Sequence, residues 1–150
     1  MVAARAAGLV RSLADLPKAE RVVLGTPASP IGRYTLQVLE LAGKRWGADF
    51  AARVQAKVVS REPQVKQIWA KVRLGEADAG VVYRTDARLL GGVAVIALPA
   101  DCRVIARYPA VALADAPQPK MAQAWLEFLR SAAAQTVLQR AGFLPAEDGR

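Results

Sequence analysis

The sequence predicts an α/β fold. Three observations carry that expectation. Short apolar runs ending at or near a turn, Arg21–Gly25 (RVVLG) and Ala79–Tyr83 (AGVVY), have the length and composition of buried strands. Between them lie segments with apolar residues at i, i+3, i+4 and i+7, of which Val65, Ile68, Trp69 and Val72 form one such set. The two kinds of segment alternate through the middle of the chain, the order expected where helices cover a sheet. At 150 residues and 53% hydrophobic, the chain can bury a core and is not of disordered composition.

In chain order, Ser12-Leu-Ala-Asp15 carries a capping-box pattern for a short helical turn, followed by Pro17. Arg21–Gly25 is a strand and Thr26–Pro30 a loop. A helix is predicted over Pro30–Ala42: Ser29 can cap it, Pro30 suits the first helical position and Gly43 can close it. Its apolar face carries Tyr34, Val38 and Leu41, with Ile31 and Leu39 beside it. A short helix over Ala48–Val54 leads into a strand at Lys57–Val59. A second well-formed helix is expected from Pro63 to Leu74, ended by Gly75. After the strand Ala79–Tyr83, Thr85 and Asp86 can start a single helical turn. Val93–Leu98 is a strand. Val104–Leu113 is extended, with Pro109 confining it to an edge or crossover. The last third is helical, with Met121, Trp125, Phe128 and Leu129 on one face. Another helix begins at Ser131, carries Val137, Leu138 and Ala141, and stops at Gly142 and Pro145. The tail, Ala146–Arg150, is expected to fray.

The net charge is +8, from 21 Lys and Arg against 13 Asp and Glu. These cations are scattered, without interleaved aromatics, zinc-finger spacing or basic-zipper heptads. The expectation is a solvated basic surface that attracts anions, not a nucleic-acid partner. No apolar run is long enough to span a bilayer. Met1–Val10 is rich in Ala and Arg but lacks a sustained apolar stretch, so no signal peptide is expected within this chain. Cys102 is the single cysteine, expected as a small buried or half-buried apolar residue. No histidine is present, which excludes a Cys–His nucleophile pair. Asp15, Asp49, Glu76, Asp78 and Asp86 fall at turns and helix starts, and no glycine-rich phosphate loop or zinc spacing accompanies them. The inventory for catalysis is poor: an enzyme is the least expected reading, and no cofactor is called for.

In open α/β sheets, ligands bind at the carboxyl ends of strands. That rule selects the loop after Gly25, the loop after Val59, and Tyr83. Both loops lead into helix N-termini, whose unpaired N–H groups and positive dipole ends suit an oxyanion without help from Lys or Arg. Ser29-Pro30-Ile31-Gly32 would present amides from the first helix, Glu62-Pro63-Gln64-Val65 from the second, and Tyr83 a phenolic O–H. Spacing alone leaves open that these helix starts bind nothing and that Tyr83 is an ordinary half-buried strand residue. Trp69 and Trp125 are expected in the core.

Several stretches taken together resemble the molybdate-binding proteins of ABC importers, which are type II periplasmic binding proteins. Val23–Gly43 (VLGTPASPIGRYTLQVLELAG) resembles their strand, P-x-G-x-Y turn and helix. Gln64–Ala87 (QVKQIWAKVRLGEADAGVVYRTDA) resembles their G-x-A-D-A-G-I-V-Y-x-S-D-A block. RYPAVAL (Arg107–Leu113) and AQAWLEFLRSAAAQTVLQRAGF (Ala122–Phe143) resemble their closing stretch. Val2-Ala3-Ala4 and Ser12–Leu16 match the hinge strand and the S-L-x-D-L that follows it. The resemblance implies one lobe of the type II fold with C-terminal helices, divided as 1–113, the second lobe with its hinge strands, and 114–150, a segment that returns to a first lobe missing here. It implies a molybdate or tungstate ligand held by the amides of Ile31 and Val65 and the hydroxyl of Tyr83, with Ser29 and Gly32 as weaker candidates. It further implies an ABC permease as partner, a periplasmic or extracytoplasmic location, and a homodimer or domain swap through the Met121/Trp125/Phe128 face. The sequence departs from the family at Ile31, where a smaller residue is usual, and at Pro63-Gln64, where a pair such as Glu-Asn is common. Two other readings stay open: the ligand-sensing domain of a transcriptional regulator, and a basic nucleic-acid-binding domain.

Overall fold

The computed structural model describes residues 1–5, 8–89 and 91–146. Ala6 and Ala7 of the N-terminal stretch, and residues 147–150 of the expected frayed tail, lie outside the described residues. The chain forms two compact units, one over Met1–Ile105 and one beginning at Ala106.

The first unit is built on a five-stranded sheet: β1 (Val2–Ala4), β2 (Val22–Gly25), β3 (Val58–Glu62), β4 (Ala79–Val81) and β5 (Ala94–Ile96), in the order β3-β2-β4-β1-β5. β2 pairs in parallel with β3 and β4, and β1 pairs antiparallel with β4 and β5. Successive strand residues point to opposite faces. Val22 and Leu24 therefore join one buried cluster and Val23 another. The first cluster takes Val38, Leu39 and Ala42 from α1 (Pro30–Trp46), and Phe50 and Val54 from α2 (Phe50–Gln55). The second takes Ile68, Trp69 and Val72 from α3 (Val65–Leu74). A strand covered on both faces has no polar side, which is why β2 reads as an unbroken apolar run. Cys102 is buried in the first cluster, as expected of a small apolar residue.

Glycines at two packing points let elements approach closely. A Cβ on Gly80 of β4 would stand 2.6 Å from Ile68 Cγ2 and 2.8 Å from the Val23 carbonyl oxygen, so α3 seats directly on the strand. A Cβ on Gly32 would stand 1.9 Å from the Thr26 carbonyl oxygen, so α1 starts hard against the end of β2.

Several boundaries differ from the sequence-based expectation. α1 does not stop at Gly43 but runs to Trp46. Gly47, at φ 107°, ends it by donating its N–H to the Gly43 carbonyl. β3 continues past Val59 to Glu62, because Ser60, Arg61 and Glu62 find partners in Val23, Leu24 and Gly25. Pairing there overrides weak strand propensity. α3 accordingly starts at Val65, two residues after Pro63. The single turn expected at Thr85 becomes a six-residue helix, α4 (Arg84–Leu89), and β5 is shorter than Val93–Leu98. Val104–Leu113 forms no strand.

The second unit contains α5 (Pro119–Arg130) and α6 (Ala132–Arg140), with Ser131 Oγ accepting the Ala134 N–H at 3.3 Å as the cap of α6. Trp125 is not a core residue: it is 58% exposed, stacked on Phe128 with ring centroids 5.4 Å apart. Met121 is 65% exposed on the same face. A unit this small has too few apolar partners to cover both sides of an amphipathic helix.

Candidate functional site

β2, β3 and β4 run parallel, so their carboxyl ends open on one edge of the sheet. From that edge the chain enters α1 through Thr26–Ser29, α3 through Pro63–Gln64, and α4 through Val82–Tyr83. The first two loops are tied together by the Thr26 N–H, which donates to the Glu62 carbonyl at 2.9 Å.

The start of α1 is set by Ser29, an extended residue at φ −78°, ψ 152°. Its hydroxyl accepts the Gly32 N–H at 3.2 Å and donates to the Thr26 carbonyl at 2.8 Å, while its own carbonyl accepts the Arg33 N–H at 3.0 Å. Pro30 has no N–H. That leaves Ile31 as the amide of the first turn with no acceptor among the described residues. At α3, the Gln64 N–H donates to Gln67 Oε1 at 3.3 Å and the Gln67 N–H donates to the Gln64 carbonyl at 3.1 Å. The amides of Val65 and Lys66 are the ones left open there, again among the described residues. Such orphan donors are the groups a helix N-terminus offers to an anion.

β4 stops at Val81, short of the expected Tyr83, which lies two residues past its end. Tyr83 is half-buried, and its carbonyl accepts the Ala87 N–H of α4 at 3.1 Å. Its ring meets that of Tyr34 edge-on, with centroids 6.3 Å apart and planes at 74°. Ile31, Val65 and Tyr83 all belong to the apolar cluster that surrounds Ile68, Trp69 and Val82. The fold thus packs one residue from each of the two loops, and Tyr83, on the same cluster.

Ser29 and Gly32 play a different part. The Ser29 hydroxyl is buried and spends its proton on Thr26, and the Gly32 amide is taken by Ser29. Both shape the turn that holds Ile31. Tyr34, which periodicity places on the core face of α1, is brought beside Tyr83 by their edge-on ring contact. Its place one turn after Ile31 is the signal that could have shown this.

Charges around the edge are paired or solvated. Lys71 stands 2.6 Å from Glu62 Oε1. The Lys71 hydrogen bond, helped by Ser60, holds the Glu62 carboxyl below its usual range against the opposing effect of burial. Burial pushes the Asp86 carboxyl, in the first turn of α4, above its usual range. Arg33 is exposed and donates to the Ala28 carbonyl at 2.7 Å. Among the described residues no group of three or more His, Cys, Asp or Glu is placed to hold a metal ion. No helix among them is long and apolar enough to cross a membrane.

Residues 1–144 match the family of bacterial extracellular solute-binding proteins. The chain belongs to that family. It is 34% identical over 139 residues to YvgL, a substrate-binding lipoprotein assigned to an ABC transporter of Bacillus subtilis, covering 89% of this chain and 50% of that protein. It is 30% identical over 148 residues to the molybdate-binding protein ModA of Mycobacterium tuberculosis, covering 95% of this chain and 53% of ModA. The chain spans about half the length of the curated relatives it matches. Among solved structures, the substrate-binding domain assigned to a molybdenum ABC transporter of Clostridium difficile superposes with a TM-score of 0.72. That match covers 97% of this chain and 62% of the other at 22% identity, so the likeness is one of fold. The family is one of binding proteins and not of enzymes, in line with the chemical inventory of the sequence.

Proposed function

We propose that this chain is a ligand-contacting lobe of the solute-binding component of an ABC importer, and that its ligand is molybdate or tungstate. The observation that carries the reading is the convergence of two open helix N-termini and a tyrosine at one sheet edge. The donors are the Ile31 N–H, the Val65 N–H and the Tyr83 O–H. All three are neutral donors. A fully deprotonated tetrahedral dianion needs donors alone, whereas a protonated phosphate brings its own proton and needs an acceptor. Two helix dipoles add a favourable field without a desolvated cation. The apolar side chains of Ile31 and Val65 do not interfere, because their backbones do the binding. Relatives assigned to molybdate binding and to ABC transporters support the ligand class and a permease partner, and the family description supports a location outside the cytoplasm. Three donors are a partial shell for four oxygens, so this chain alone binds weakly and further donors from outside it complete the cage.

The test is ligand-dependent stability. A ligand that binds only the folded state raises stability by about 2.7 kcal/mol at one hundred times its dissociation constant. Molybdate and tungstate at millimolar concentration raise the melting temperature at constant ionic strength, and sulfate and phosphate raise it less. Equal curves with all four anions would remove the ligand assignment.

A further inference from the structure

Lys71 lies in α3 and reaches back to β3. Its ammonium stands 2.6 Å from Glu62 Oε1 and 3.1 Å from Ser60 Oγ. Ser60 and Glu62 are two residues apart and share the half-buried face of β3, while Val59 and Arg61 take the exposed one. The Glu62 side chain is only 13% exposed. The Lys71 hydrogen bond, helped by Ser60, holds the Glu62 carboxyl below its usual range.

The place of this pair in the chain gives it a consequence for the site. Glu62 is the last residue of β3 and stands three residues before Val65. Its main-chain carbonyl holds the Thr26 N–H at 2.9 Å, in the loop that leads to Ile31. Its side chain holds α3, the helix that begins at Val65. One residue therefore grips both donor-bearing segments, one through the main chain and one through the side chain.

We propose that the Glu62–Lys71 pair, seated by Ser60, is a positioning device that sets the separation of the Ile31 and Val65 amides and hence the size of tetrahedral anion the site prefers. The inference rests on the oxyanion reading above and adds to it a residue pair that touches no ligand.

The experiment is a titration of the 150-residue chain with molybdate and, separately, with the smaller sulfate, followed by amide NMR at constant ionic strength. The quantity read is the ratio of the two affinities, which does not depend on the folded fraction. Lys71→Met lowers molybdate affinity by about tenfold and shrinks the molybdate-to-sulfate ratio. Glu62→Gln, which keeps the side-chain shape, shrinks the same ratio and serves if the Met variant folds poorly. Lys71→Arg restores both affinity and ratio to within about twofold, since a guanidinium can hold the same carboxylate. Wild-type ratios in both Lys71→Met and Glu62→Gln overturn the positioning role while leaving the oxyanion reading intact. A wild-type chain that binds neither anion overturns both.

Discussion

Replacing Gly32 by alanine tests how the α1 turn is built. The added Cβ would lie 1.9 Å from the Thr26 carbonyl oxygen, 2.6 Å from the Thr26 carbonyl carbon and 3.0 Å from the Gly25 carbonyl carbon. All three are backbone atoms, so no side chain can swing away. An ordinary carbon–oxygen contact is about 3.3 Å, so the turn must open by about 1.4 Å. Gly32 is not among the positive-φ glycines, so the cost is steric and not conformational. Opening the turn breaks the Ser29 cap, worth about 1 kcal/mol, and strains the packing of α1 on β2 by about 1–3 kcal/mol. Together these lower stability by about 2–4 kcal/mol, which for a unit of this size lowers the melting temperature by about 10 °C. The Ile31 amide, one residue away, moves with the turn. Because a site of this kind needs its donors placed to about 0.5 Å, molybdate binding falls by tenfold or more. Thermal unfolding followed by circular dichroism reads the first effect and the amide shift of Ile31 the second. A Gly32→Ala chain that melts within 2 °C or so of the parent, with an unmoved Ile31 amide, would refute the reasoning.

Four further outcomes follow from the same structure. Tyr83→Phe keeps the ring packed against Tyr34 and removes one donor, so molybdate affinity falls about fivefold to tenfold; an unchanged affinity would remove Tyr83 from the site. Gly80→Ala forces a Cβ against Ile68 and the Val23 carbonyl and costs about 1–3 kcal/mol in urea unfolding. Asp15 is held near pKa 2, below its ordinary 3.8, first by Lys18 and then by Ser12. A depressed carboxyl contributes stability above its ordinary pKa and loses it as pH falls toward 2, so Asp15→Asn flattens the acid-unfolding curve in that window and leaves the chain less stable at neutral pH. The exposed Met121/Trp125/Phe128 face of α5 predicts concentration-dependent self-association, weakened by Trp125→Ser; sedimentation of a strictly monomeric parent at micromolar concentration would contradict it.

Much of the fold was legible in the sequence because its signals are local. The 3.6-residue period marked α1 and α3, and the unbroken apolar runs marked β2 and β4, since covered parallel strands have no polar face to alternate with. The end of β3 was not legible. Ser60-Arg61-Glu62 has no strand propensity of its own and is held by pairing to β2. Its alternation of half-buried and exposed residues is a faint period-two signal. Gly43 and Gly47 were both possible stops for α1, and only the backbone angle at Gly47 separates them. Periodicity placed Trp125 on an apolar face correctly but could not say whether anything covers that face. The proposed site was legible to the extent that strand ends and helix starts are: topology selects the loops Ser29–Gly32 and Glu62–Val65 and Tyr83, and the family resemblance singles out Ile31 and Val65 within them. The spent donors of Ser29 and Gly32, the Thr26–Glu62 link and the Glu62–Lys71 pair depend on loop geometry and on contacts between elements, which no local pattern encodes.

Binding of a tetrahedral oxyanion at this sheet edge, through backbone amides and a tyrosine, is tested most directly by backbone amide NMR during a molybdate titration, with chloride replacing molybdate in a parallel series at equal ionic strength. Saturable shifts are expected, confined to the first turns of α1 and α3 and to the neighbourhood of Tyr83, with the Ile31 and Val65 amides moving most. Shifts absent from those amides, or spread over the exposed lysines and arginines and matched by chloride, would contradict it.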